Sequence, residues 1–219
     1  MRPVTVQKQL AASSVNAISL AQALAGAGNL TLNGASVSGG VATLDTQRRI
    51  SLLSSGNDSG LTWTISGTNG AGAAISQSIP GGNAVAVATS LDFLTVTKIA
   101  SSGAVAGTVQ VGSNSTGASA WQIPNFHLSP FELAIGLQLL SGAATFGIEV
   151  SYDDVRAPLP IYAPPLVTIP SPVGWPGLTG LNGNAQGLIN APVQAWRLLV
   201  TAGTGLVEAT GTQSGISGP

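Results

Sequence analysis

Between Pro130 and Val155 the chain reads PFELAIGLQLLSGAATFGIEVSYDDV, and its apolar residues recur at every second position. Leu133, Ile135, Leu137 and Leu139 alternate with smaller or polar neighbours, and Phe146, Ile148 and Val150 do the same after Ser141-Gly142. A period of two belongs to a strand with one buried face, because successive side chains leave a strand on opposite sides. The stretch predicts a two-stranded hairpin turned at Ser141-Gly142, around which the rest of the chain is arranged.

The same punctuation runs through the chain from Asn29 onward: short Val, Ile, Leu and Thr runs separated by Gly, Ser and Asn clusters. LTLN, VATLD, RRISLL, LTWTIS, AAISQSI, FLTVTKI and GTVQVG read as strands. In LTWTIS, Leu61, Trp63 and Ile65 point one way and Thr62, Thr64 and Ser66 the other, toward solvent or another subunit. In FLTVTKI, Phe93, Thr95, Thr97 and Ile99 share one face and Leu94, Val96 and Lys98 the other, which predicts cover on both sides. VQAWRLLVT and GLVEATG predict a second hairpin, turned at Ala202 to Thr204. Two hairpins in each half give a similar rhythm, which a duplicated unit or any Gly-rich β-protein would produce.

Residues 1 to 27 stand apart as an N-terminal strand or tether. Pro3 is tolerated at the start of an edge strand, so PVTVQ is read as one. SLAQALAGAG is either a short helix begun at Ser14 or Asn16 and stopped by Gly26 and Gly28, or an apolar tether on a neighbouring subunit. Polar, aperiodic Ser113 to Ala120 is the expected boundary between a lobe over 28–114 and a second over 115–219. Seven of the 13 prolines fall between Pro158 and Pro176. Proline donates no ladder hydrogen bond, so 156–176 is expected to be an extended arm.

Only 7% of the 219 residues are charged and the formal net charge is -1, which leaves no electrostatic footprint for nucleic acid or an anionic membrane. Sparse charge combined with 44% hydrophobic residues makes a poorly self-repelling surface. It is expected to be covered by partners in an assembly. There is no cysteine for a disulfide or a thiolate metal site. MRPVTVQKQL lacks an apolar core, and no stretch approaches the ~18 unbroken apolar residues of a spanning helix, so the chain reads as soluble and without an export signal.

No catalytic, metal or cofactor site is expected. His127 is the only histidine, and no G-x-S-x-G elbow or phosphate loop accompanies it. Asp153-Asp154 point apart in an extended chain, a poor geometry for paired acid–base work and better suited to capping a turn; two carboxylates are also few for calcium. Arg48 and Arg49, at a strand start, point to opposite faces. One is expected to pair with Asp45 or Asp58, leaving the other for a solvated strand end or an acidic patch on a partner. Trp63 and Trp196 lie within periodic strands and are read as core. Trp121 and Trp175, beside irregular segments, are read as subunit contacts, internal packing or sugar platforms. The partner-binding set is Val4, Val6, Arg48, Arg49, Trp121, Pro164, Pro165 and Trp175.

Two blocks carry a family resemblance. One is Gly28 to Asn114, from GNLTLNGASVSGGVATLDTQRRISLL to GTVQVGSN. The other begins at Trp121, continues through PFELAIGLQLL and FGIEVSYDDV, and resumes at PVQAWRLLVTAGTGLVEATGTQSG. With MRPVTV they cover most of the chain, and they resemble tailed-bacteriophage virion structural proteins of the decoration (cement) or tail-associated kind. The segment between Asp154 and Pro192 is longer and richer in proline than in that family. The resemblance implies an all-β fold of one or two antiparallel β-sandwich, jelly-roll-like lobes, and no catalytic residues. It further implies a homo-oligomer, assembled in the host cytoplasm, that meets the major capsid protein or other virion proteins at the capsid surface or tail. Capsid decoration leads, ahead of a tail or head-to-tail component and a glycan- or receptor-binding adhesin module.

Overall fold

A computed structural model describes residues 3–125, 128–153, 155 and 172–217. It is all-β, with antiparallel sheets and no helix among the described residues. The first eight strands are β1 (Val4–Lys8), β2 (Ser14–Gln22), β3 (Gly28–Asn29), β4 (Val37–Ser38), β5 (Val41–Ser54), β6 (Thr62–Thr68), β7 (Ala74–Pro80) and β8 (Ala86–Ala88). They are followed by β9 (Phe93–Ser101), β10 (Val109–Ala118), β11 (Leu128–Ser141), β12 (Ala144–Ser151), β13 (Val173–Gly174), β14 (Ala185–Ile189), β15 (Ala195–Gly203) and β16 (Leu206–Ser217). The chain divides into an N-terminal unit, 11–117, and a C-terminal unit formed by 1–10 with 118–219. Residues 11–27 thus belong with the N-terminal unit, and the second division falls inside β10, where the polar 113–120 stretch suggested a linker.

In the C-terminal unit, β1, β16, β11 and β14 form one sheet in that order, and β13, β12 and β15 are neighbours in another. The predicted hairpins are absent: β11 pairs with β16 and β14, while β12 pairs with β15 and β13. The turns at 141–144 and 203–206 therefore cross between sheets as arches. Leu133, Ile135 and Leu137 of β11 and Val207 and Ala209 of β16 share one core with Phe146, Ile148 and Val150 of β12 and Trp196, Leu198 and Val200 of β15. Alternation correctly marks the buried face but is blind to this choice, since a hairpin and an arch each need one apolar face per strand.

The two arches nest backbone to backbone. Thr204 N–H and Gly205 N–H both donate to the Ala143 carbonyl, at 3.1 and 2.9 Å. Gly203 has φ +84°, and a Cβ there would lie 2.2 Å from that same carbonyl oxygen. Only glycine fits such a position.

In the N-terminal unit one sheet runs β10-β5-β9-β6-β7, with β2 on β10, β3 on β9, and β4 and β8 on β5. VATLD and RRISLL are the two ends of the single strand β5. Its first part pairs with β9 and its last with β10 and β8. Between Thr43↔Thr95 and Arg48↔Phe93 the chain takes five steps on β5 against two on β9, a bulge at which the strand changes company. Corners of this kind let a sheet close around its own core, here Ile50 and Leu52 with Trp63, Ile65, Phe93, Ile99, Val109 and Val111.

β6 and β7 do form a hairpin, with Trp63 and Ile65 inward as the alternation predicts. In β9 the expected faces are corrected: Phe93, Val96 and Ile99 are buried while Thr97 and Lys98 are exposed. The register slips between Ser66↔Lys98 and Gly67↔Val96, so a bulge at Thr97 returns Val96 to the core side. The two units do not share a strand order, which removes the duplicated-unit reading.

Residues 14–22 are neither helix nor tether. They form β2, paired with β10, and Ile18 is fully buried in the core. The 30s loop seals the other side, with Asn33 and Gly34 N–H donating to the Ile18 carbonyl and Ser36 N–H to that of Ala17. Ile18→Ala should therefore lower unfolding stability by about 2–4 kcal/mol in a urea titration. Val15→Ala, at a site 56% exposed, should change it by less than about 0.5 kcal/mol. A detachable tether would give equally small effects at both.

Candidate interaction surfaces

β1 is an edge strand as expected, bonded to β16 with Val6 opposite Ala209. Val4 and Val6 are half-buried and pack on the core of their own unit. A partner would meet instead the outward residues Thr5 and Gln7. Both are already tied across the strand pair, Thr5 Oγ1 to Thr210 Oγ1 at 3.1 Å and Gln7 Nε2 to Glu208 Oε2 at 2.6 Å.

Arg48 is not at a strand start and is not a surface residue. Its side chain is 1% exposed at the β5 bulge. There Nε and Nη2 donate to the Asn114 carbonyl at 3.0 and 2.6 Å, and Nη1 to the Ala11 carbonyl at 2.9 Å. Nη1 also meets Asp45, the predicted partner, at 3.1 Å, and Asp45 Oδ2 accepts the Ala11 N–H at 2.8 Å. One guanidinium thus binds β5, β10 and the segment leading into β2, using the planar fork that lets arginine satisfy several acceptors at once. Arg49 is 31% exposed, and its Nε lies 3.8 Å from Asp92 Oδ1, an ion pair too long to be a hydrogen bond. Asp58 pairs with neither arginine; it is buried and accepts the Ala106 N–H at 2.8 Å.

Trp121 lies over the Arg197 guanidinium, 4.5 Å from it to the ring centroid. Arg197 in turn reaches Glu149, directly opposite on β12, through Nη2 at 2.7 Å and Nε at 2.8 Å. Both side chains are largely buried, a setting in which cation–π and ionic contacts exceed their surface values. Sequence reading missed this pair, because opposite charges in FGIEV and AWRLL become neighbours only once β12 and β15 are known to pair. Trp175 is half-buried against the core of the C-terminal unit, and its backbone N–H donates to the Ile148 carbonyl at 2.9 Å.

At this turn the Asp153 backbone N–H donates to Ser151 Oγ at 3.1 Å, so the capping side chain is that of Ser151. His127, Asp154, Pro164, Pro165 and the arm as far as 171 lie outside the described residues. Among the described residues no three His, Cys, Asp or Glu side chains converge on a metal-sized site, and no helix is long and apolar enough to cross a membrane.

Two surfaces remain. On the C-terminal unit an open groove of about 510 Å³ crosses the outer face of the four-stranded sheet, floored by Ala134 and Gly136 and walled by Thr210, Thr212, Gln186 and Leu188. The even-numbered residues of β11 that alternate with Leu133, Ile135 and Leu137 make its floor, so their small size was the available signal. On the N-terminal unit, Thr64–Ser78, Ser66–Ser76 and Thr68–Thr95 form cross-strand hydroxyl pairs at 3.0, 3.1 and 2.7 Å. Both surfaces offer hydroxyls, amides and small apolar groups.

The buried charges set a clear expectation. Arg48→Ala strips partners from two carbonyls and a carboxylate and should destabilise by about 3–5 kcal/mol in chemical denaturation. Arg49→Ala, at a side chain 31% exposed whose contact with Asp92 is long, should cost less than Arg48→Ala. Glu149→Leu should cost about 3 kcal/mol or more by stranding Arg197, and adding Arg197→Met should recover most of that loss.

No family model, curated protein or solved structure matches the chain.

Proposed function

We propose that the chain is a virion structural protein of a tailed phage, a decoration subunit that binds the outside of an assembled shell and ties neighbouring capsid subunits together. The reading rests on the resemblance carried by Gly28 to Asn114 and by the blocks that begin at Trp121. The observation that supports it most is where the few charges lie. Among the described residues, which hold 12 of the 15 Lys, Arg, Asp and Glu (all but Arg2, Asp154 and Arg156), five are buried: Arg48, Asp58, Asp92, Glu149 and Arg197.

Strand exteriors left with hydroxyls and amides repel copies and partners weakly, which suits a subunit packed densely on a particle. The mode of attachment is strand addition at β1 and β14, each of which has a strand neighbour on one side only among the described residues, so that backbone groups supply affinity without charge. Binding to the assembled shell alone stabilises it by mass action. Trp121 stacked on Arg197 and Trp175 packed against the core make poorer sugar platforms than free indoles, which favours decoration over the adhesin alternative.

Quantitative mass spectrometry of purified particles tests the proposal through the ratio of this chain to the major capsid protein. Decoration requires a ratio of the same order as the shell subunit. A handful of copies per particle would move the protein to the tail, and its absence would end both readings.

A further inference from the structure

The chain contains three Asn-Gly pairs, Asn33-Gly34, Asn69-Gly70 and Asn182-Gly183. This dipeptide is the one most open to spontaneous loss of the side-chain amide, because glycine's backbone nitrogen is unhindered and its dihedrals are free. In the reaction the glycine nitrogen gives up its proton and attacks the asparagine Cγ. A C–N bond forms, the Cγ–NH2 bond breaks, and ammonia leaves with a proton. Water then opens the five-membered imide at either carbonyl, giving aspartate or isoaspartate. No redox partner is involved, and the only co-reactant is water.

The fold treats the three pairs differently. Gly34 N–H donates to the Ile18 carbonyl at 3.1 Å, and Asn33 Oδ1 is held by Leu20 N–H at 2.9 Å. Gly70 N–H donates to Gln47 Oε1 at 2.9 Å, and Asn69 Oδ1 accepts from Ala71 and Ala73 N–H, each at 3.0 Å. In both, the attacking nitrogen and the attacked side chain are engaged in hydrogen bonds that must open first. At Asn182-Gly183, just before β14, Asn182 is exposed and neither its side chain nor the Gly183 N–H has a hydrogen-bond partner among the described residues. Among the described residues no heavy atom beyond its chain neighbours lies within 4 Å of where a Gly183 Cβ would sit, so the loop has room to rearrange.

We propose that Asn182 is a site of spontaneous deamidation and isomerisation in the folded protein, and that the fold protects Asn33 and Asn69. The product adds a carboxylate, and in the isoaspartate form an extra backbone methylene, two residues before Asn184, whose Oδ1 accepts the Leu139 N–H at 2.9 Å. The change therefore falls where β14 docks on β11, beside the wall of the open groove formed by Gln186 and Leu188.

Incubation of the full chain in mildly alkaline buffer below its unfolding temperature, with timed peptide mass mapping and isoaspartate assay, tests this. Conversion at Asn182 should exceed that at Asn33 and Asn69 by roughly ten- to thirtyfold, the factor expected when two hydrogen bonds must open first. In denaturant the three sites should converge. Gly183→Ala, for which the site has space, should slow Asn182 by about tenfold or more through crowding at the attacking nitrogen. Equal rates at the three sites of the folded chain, or an Asn182 rate unchanged by Gly183→Ala, would overturn the proposal.

Discussion

The C-terminal unit depends on β11 facing β12 across a core instead of pairing with it. Burying a Leu, Ile, Val or Phe side chain is worth about 1.5–3 kcal/mol, and the arch places apolar rows of both strands in one shared interior. Once the chain turns at Gly142 and again at Gly203, β12 and β15 can pair on one side while β11 and β16 pair on the other. The nested turns approach closely because glycines stand at 203 and 205, where a Cβ would collide with the backbone of 141–144. The ladder that brings Glu149 opposite Arg197, and the open face that carries the groove, both follow from that choice.

The N-terminal unit meets the same need, closure around a core, with a different device. Its sheet bends at a bulge in β5, and the bend leaves carbonyls and N–H groups without ladder partners. Arg48 and Asp45 satisfy the carbonyls of Asn114 and Ala11 and the N–H of Ala11. A buried charge is tolerated at such a point because its hydrogen bonds are charge-assisted and nearly saturated. Both units therefore spend ionic side chains on register and corners, which leaves their outer faces more neutral than composition alone would make them.

Much of this was legible in the residues. Trp63, Ile65, Leu133, Ile135, Leu137, Phe146 and Ile148 sit inside as their spacing indicates, and PVTVQ is an edge strand. The failures have physical causes. Residues 14–22 look helical because alanine is a good helix former, yet tertiary pairing with β10 overrides a propensity of a few tenths of a kcal/mol per residue. Arg48 looks like a surface arginine because nothing local reveals a bulge. Trp121 stands beside an irregular segment, which its neighbours in sequence reveal, but its cation lies 76 positions further along the chain, at Arg197.

By itself the sequence determined the fold class, the inward face of most strands, the shortage of charge and the reactive dipeptides, because each depends on residue type and on a period of two. Tertiary structure alone decided which strands pair and which merely face, where the two units divide, which arginine is buried, and that Asn33-Gly34 and Asn69-Gly70 are held by hydrogen bonds. Those outcomes are set by contacts between segments far apart in the chain, where alternation is the same whether a strand's neighbour lies beside it or across the core.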